Sequence, residues 1–183
     1  MAPSCVVQHL RSVTNEAHRR LETRLDVIAR LTDPILRPKL VERYAALHIP
    51  ADAMLAPYLR NIDELDMGVR RRTPLLEAFV RKCPLPMFPE PSNRAQALGM
   101  LYVLEGSTLG GRFILRTLAE RGVDDPNLAF LDPYGQETGL RWRSFLSVLT
   151  RETDHDDTRV LHAGTGALLA FAHAELVLCG GVT

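Results

Sequence analysis

Between Val7 and Leu31 the chain runs without proline or glycine, and Leu10, Val13, Ala17, Leu21, Leu25 and Ile28 recur at three- and four-residue steps. That is the period of an amphipathic helix with one apolar face, so the pattern predicts a single long helix over 7–31. Thr32-Asp33-Pro34 and Pro38 end it, and two shorter helices are expected over 39–48 and 51–59, divided by Pro50. Pro74 suits a helix start and leads into a stretch over 75–82. The run Cys83 to Pro91 carries four prolines among Leu85, Met87, Phe88 and Glu90, too many for a helix or a central strand, and reads as an extended connector. Ser92 is a plausible cap for a second long helix over 93–121 that closes at Gly122, although Gly99, Gly106, Gly110 and Gly111 lie inside it. Turn residues then surround a short piece at 124–135, and helices follow near 140–150 and 157–178. With no strand pair and no fixed-period repeat, the expectation is all-α: a helical bundle, orthogonal or up-down, forming a single domain over 1–183 with its helical core at about 7–178.

Composition narrows the function classes. Of 183 residues 46% are hydrophobic and 24% charged, enough for one well-filled core. Lysine and arginine balance aspartate and glutamate at a formal net charge of zero, so no overall field favours nucleic acid or an anionic membrane, and neither is expected as a partner. The opening Met1-Ala2-Pro3-Ser4 lacks the basic and apolar regions of a secretion signal, and no uninterrupted apolar run reaches the length of a membrane span; the expected location is cytoplasmic. Cys5, Cys83 and Cys179 are odd in number and without CxxC spacing, so they read as reduced thiols, not as disulfides or a zinc site. Cys83-Pro84 matches the short dipeptide of haem-sensing motifs, a signal of little information.

On the first helix His18 shares a face with Thr14, Leu21 and Leu25, at the edge of the buried stripe. Glu22, four residues on, can accept the proton of one ring nitrogen and leave the other lone pair for a metal such as a haem iron. The same spacing also describes an ordinary helix-surface pair. Arg11 lies two turns before His18, where its guanidinium could meet a propionate or simply remain solvated.

Glycine inside a helix costs about 1 kcal/mol relative to alanine, and Gly106, Gly110 and Gly111 incur that cost three times. Gly106 and Gly110, one turn apart, leave a strip without side chains on which a flat molecule such as a porphyrin could rest, and at which the helix should bend. Close packing of two helices through small residues would call for the same strip.

Together, Leu10-Arg11-Ser12-Val13-Thr14-Asn15-Glu16-Ala17-His18-Arg19-Arg20-Leu21-Glu22 and Tyr102-Val103-Leu104-Glu105-Gly106-Ser107-Thr108-Leu109-Gly110-Gly111 resemble the haem oxygenase family. The closer likeness is to its bacterial branch, which includes enzymes encoded alongside bacteriophytochromes. The first run is similar to the family's proximal helix and the second to its glycine-rich distal helix. The order of the two, and the chain length, agree, and the likeness extends over about 10–178. The resemblance implies that His18 ligates the iron, that Gly106 and Gly110 face iron-bound oxygen, and that Gly111 belongs to the same cofactor-binding strip. It implies a propionate or water-network role for Tyr102, for which a core tyrosine is the alternative, and makes Arg141 a further propionate candidate. Ser107 stands where the vertebrate pattern has an acid; a hydroxyl binds water but brings no carboxylate.

Haem would then be both cofactor and substrate, opened with dioxygen to biliverdin, carbon monoxide and ferrous iron. The chain has no nucleotide fingerprint and no iron–sulfur cysteine cluster, so electrons must come from an external donor of the ferredoxin or flavin-reductase type. The likeness adds a bacteriophytochrome as a recipient of the bilin. Ser107 keeps open a carrier or sensor that binds haem without degrading it, and a relative of the same fold acting on another small molecule is a third reading.

Overall fold

A computed structural model describes residues 4–80 and 85–180, so Cys83-Pro84 lies outside the described residues. Its helices are α1 (Cys5–Leu25), α2 (Val27–Thr32), α3 (Leu36–Leu59), α4 (Met67–Arg70), α5 (Thr73–Leu76), α6 (Arg94–Gly106), α7 (Thr108–Glu120), α8 (Thr138–Thr153) and α9 (Asp157–Cys179). Short 3-10 turns fill several connections, and no strand occurs among the described residues. The fold is all-α.

The centre of the bundle is α9, against which both α6 and α1 pack most extensively. Small residues make this possible. A β-carbon on Gly99 of α6 would strike the Ala163 backbone of α9, one on Gly166 would strike the Gln96 backbone, and one on Gly164 would strike the His9 ring of α1. Helix axes therefore approach closely at these points. By length and apolarity α9 could cross a membrane, but one side of it is consumed by the core through Ala163, Ala167, Ala170, Phe171, Ala174 and Val177, which accounts for its composition.

Five features differ from those the pattern predicts. The first helix is interrupted at Asp26, which takes a left-handed conformation (φ 41°) and caps α2 by accepting a hydrogen bond from the Ala29 amide. Aspartate tolerates that conformation where bulky residues do not, so neither glycine nor proline announces the break. Pro50 does not divide α3, which runs through both Pro50 and Pro57; burial of Leu47, Ala51, Leu55 and Leu59 outweighs a proline cost of about 3 kcal/mol. The stretch after Pro74 is only a short α5 followed by a 3-10 turn at Glu77–Phe79. The second long helix is two, α6 and α7, meeting at Ser107. Asn93, not Ser92, caps α6 by accepting from the Gln96 amide, while the Gln96 side chain accepts from the Ser92 amide. Gly122, at φ 78°, closes α7.

Candidate functional site

Because α1 and α6 both rest on α9 and touch each other little, a gap remains between α1 and the α6–α7 junction. It is a cavity of about 700 Å³, within the range of about 300–1,000 Å³ usual for small-molecule sites. Residues of α1 and α2 form one wall, Tyr102, Gly106, Ser107 and Gly110 the facing one, and α3, α8 and α9 close it with Tyr44, His48, Trp142 and Phe171.

His18 lies on the α1 wall with 56% of its side chain exposed. Its Nδ1 is 3.3 Å from Glu22 Oε2, and the edge of its ring meets Phe171 at 5.9 Å between centroids. An Nδ1–H donated to the carboxylate leaves Nε2 as a free lone pair. Arg11 and Tyr102 also line the cavity. Burial pushes the Tyr102 phenol above its usual range, and the neighbouring Arg11 guanidinium works in the opposite direction.

The glycines divide by face. A β-carbon on Gly110 would meet nothing within 4 Å, and one on Gly106 would meet only the Trp142 ring at 3.7 Å, an ordinary contact. Neither glycine is required by helix packing. Gly111, by contrast, is buried against the Leu131 carbonyl, where any β-carbon would collide; it seats α7 on the 126–131 turn and does not line the cavity. Ser107 lines the cavity, but its hydroxyl donates to the Leu104 carbonyl at 2.7 Å, so toward the cavity the oxygen can only accept. Arg141 does not reach the cavity either: its guanidinium is held by Asp66 and Glu137, each at 3.1 Å. Its neighbour Trp142 supplies that wall instead, packed on Tyr102 at 5.4 Å.

Two kinds of residue escaped the sequence reading. Tyr44 and His48 of α3 face the cavity from a helix whose apolar pattern signals only core. Behind Gly106, Glu105 forms a buried ion pair with Arg70 and accepts a hydrogen bond from Tyr134 at 2.7 Å. Neither partner is near in sequence, so no local motif could have signalled the cluster.

His48 makes a testable statement about pH. Burial, assisted by the Arg72 guanidinium, lowers its pKa from 6.5 to about 3. Between those values the unfolded chain holds a proton that the folded chain does not. The contribution of His48 to stability is therefore complete above pH 6.5 and is lost progressively as pH falls below it, with a slope of up to ~1.4 kcal/mol per pH unit. His173, also lowered by burial, adds to the trend, so the informative quantity is a difference. Urea unfolding of the ligand-free protein from pH 7 to pH 5 should show a shallower decline for His48→Phe, which keeps a ring but takes no proton. Equal slopes would mean that His48 is charged in the folded state.

No family model matches the chain. Two curated relatives do. A protein named heme oxygenase from Xanthomonas campestris pv. campestris (strain 8004) is 33% identical over 147 residues, 76% of this chain and 87% of the relative. Heme oxygenase PigA of Pseudomonas aeruginosa is 29% identical over 191 aligned positions, covering 93% of this chain and 92% of that protein.

Proposed function

The chain belongs to the haem oxygenase family, and from that premise we propose that it binds haem and opens it with dioxygen and external electrons to biliverdin, carbon monoxide and ferrous iron, acting as a single cytoplasmic domain. The observation that carries the reading is one cavity holding the His18–Glu22 pair on one wall and the open glycine strip at Gly106 and Gly110 on another.

The residues present fit the substrate. His18 Nε2 would ligate the iron while Glu22 would hold the ring in one tautomer. The side chains of Leu21, Leu25, Val27, Phe130 and Phe171 offer an apolar seat for the porphyrin edge. Arg11 is the cation positioned for a propionate, with Tyr102 beside it. The bare backbone at Gly110 would leave room for a small ligand and water beside the bound group, which the oxygen of Ser107 could orient as an acceptor. Bound haem supplies the redox chemistry, and the protein sets its orientation and excludes bulk water. Electrons come from a partner of the ferredoxin or flavin-reductase type, and a bacteriophytochrome is placed among the acceptors of the bilin.

Purified protein mixed with haem and a reductant under air tests the proposal. The Soret band should bleach as a biliverdin absorption rises and carbon monoxide is released. A Soret band that persists under reductant and oxygen would make the protein a haem carrier or sensor.

Arg11→Ala should act on seating alone, because a propionate contact lies away from the reacting centre. Haem affinity is expected to fall by about three- to tenfold with a changed ratio of biliverdin isomers, and turnover of bound haem to stay within about twofold. Unchanged affinity and isomer ratio would return Arg11 to the solvated surface.

A further inference from the structure

Arg70 is a side chain only 1% exposed, and each of its three guanidinium nitrogens donates a hydrogen bond. Nε donates to the Leu65 carbonyl, Nη1 to Glu105, and Nη2 to the Arg141 carbonyl at 3.1 Å. The three acceptors belong to three separate pieces of chain: the turn before α4, the last turn of α6 and the first turn of α8. Glu105 is itself 2% exposed, takes a second hydrogen bond from Tyr134 and has Arg72 at 3.8 Å. The adjoining positions matter to the cavity. Glu105 immediately precedes Gly106, and Arg141 immediately precedes Trp142, both of which line it. The Arg70 guanidinium also lies 5.9 Å from the centre of the Phe145 ring, on which Trp142 packs at 5.6 Å.

We infer that Arg70 and Glu105 are positioning residues: the buried pair fixes the separation between the α6–α7 junction at Gly106 and the Trp142 wall of α8, and so sets the shape of the cavity above the glycine strip. A buried ion pair is a poor source of net stability, since apolar residues of similar volume commonly serve as well or better. What it supplies is direction. A guanidinium with two backbone carbonyls and one carboxylate as acceptors ties three pieces of chain in one arrangement, which neither a lysine nor a methionine can do. For the reaction the consequence rests on the haem reading: a loosened wall would let the substrate tilt.

Trp142 is the chain's one tryptophan, so the wall reports on itself in the ligand-free protein. Two variants are informative. Arg70→Lys keeps the charge beside Glu105 but gathers its donors on one nitrogen, which cannot reach acceptors spread around a guanidinium, and the pair Arg70→Met with Glu105→Leu removes both charges together, leaving the Arg72 guanidinium the residue-70 carbonyl and the Tyr134 hydroxyl as partners. Each is expected to keep helical circular dichroism and a cooperative thermal transition, while Trp142 emission moves to the red and its quenching constant with acrylamide rises roughly twofold. Added haem should bind these variants about tenfold more weakly than the wild type. Whichever variant folds decides the matter. A folded variant with the emission and quenching of the wild type overturns the inference, whatever haem does. If the wild-type protein itself binds no haem, the functional reading fails, and the fluorescence still decides the role of the pair.

Discussion

His18→Ala should remove the imidazole proposed to hold the haem iron, with loss of the imidazole-ligated haem spectrum and a fall in turnover of about a hundredfold or more. The structure sharpens this expectation, because His18 is not the only imidazole at the cavity: His48 lines it too, from α3. The two differ in the way that ligation demands. His18 stands 56% exposed on the α1 wall with a carboxylate 3.3 Å from Nδ1, the arrangement that leaves the Nε2 lone pair for a metal. His48 is buried and lies near the Arg72 guanidinium that helps depress its pKa, and the carboxylate one turn on, Asp52, is engaged by the Arg72 and Thr73 amides and the Thr73 hydroxyl. A neighbouring cation makes an imidazole a weaker donor to a metal. His48→Phe should therefore retain the imidazole-ligated haem spectrum that His18→Ala loses, and exogenous imidazole should restore ligation to His18→Ala but have nothing to restore in His48→Phe. If His18→Ala keeps a wild-type spectrum and turnover with no imidazole added, His18 is not the ligand.

What the sequence revealed and what it concealed follow from the range of the interactions. The α1 face was legible because it is periodic: Leu10, Ala17 and Leu25 are buried where the three- and four-residue steps put them, while Val13 and Leu21 are only half-buried and Thr14 is buried beside them. Its end was not, since the break rests on one aspartate adopting a positive φ. Pro50 misled because a local cost was set against tertiary burial that only the assembled bundle displays. The glycine strip was legible as a strip, but adjacent helical residues differ by about 100° in direction. Gly110 and Gly111 therefore have different neighbours, open space for one and the Leu131 carbonyl for the other. The same quarter-turn separates Arg141, tied to Asp66 and Glu137, from Trp142 in the cavity wall. Charge drew attention to the first of that pair, and the chemistry of the wall belongs to the second. Arg70 and Glu105 are joined across 35 positions of sequence, where no pattern within a helix can connect them.

Gly110→Ala should make the protein more stable and the enzyme worse. Helix propensity favours alanine by up to ~1 kcal/mol at an unstrained helical position, and at Gly110 a β-carbon meets nothing within 4 Å, so no packing strain opposes that gain. Had the glycine served to bring two helices together, as Gly99 does against Ala163 and Gly111 against Leu131, the same substitution would overpack a contact and cost about 1–3 kcal/mol. The open space has another meaning if haem occupies the cavity. The methyl would then take up space that the substrate or a small ligand beside it would use, and turnover should drop by about tenfold or more. Gly106→Ala provides the internal comparison: its β-carbon would rest on the Trp142 ring at 3.7 Å, an ordinary contact, so the stability gain should be retained with that wall left in place. Thermal unfolding of the ligand-free proteins, read beside biliverdin formation per folded molecule, separates the two accounts. Stability up and turnover down places Gly110 over the substrate. A Gly110→Ala protein that gains stability and still opens haem at the wild-type rate would remove the glycine strip from the site.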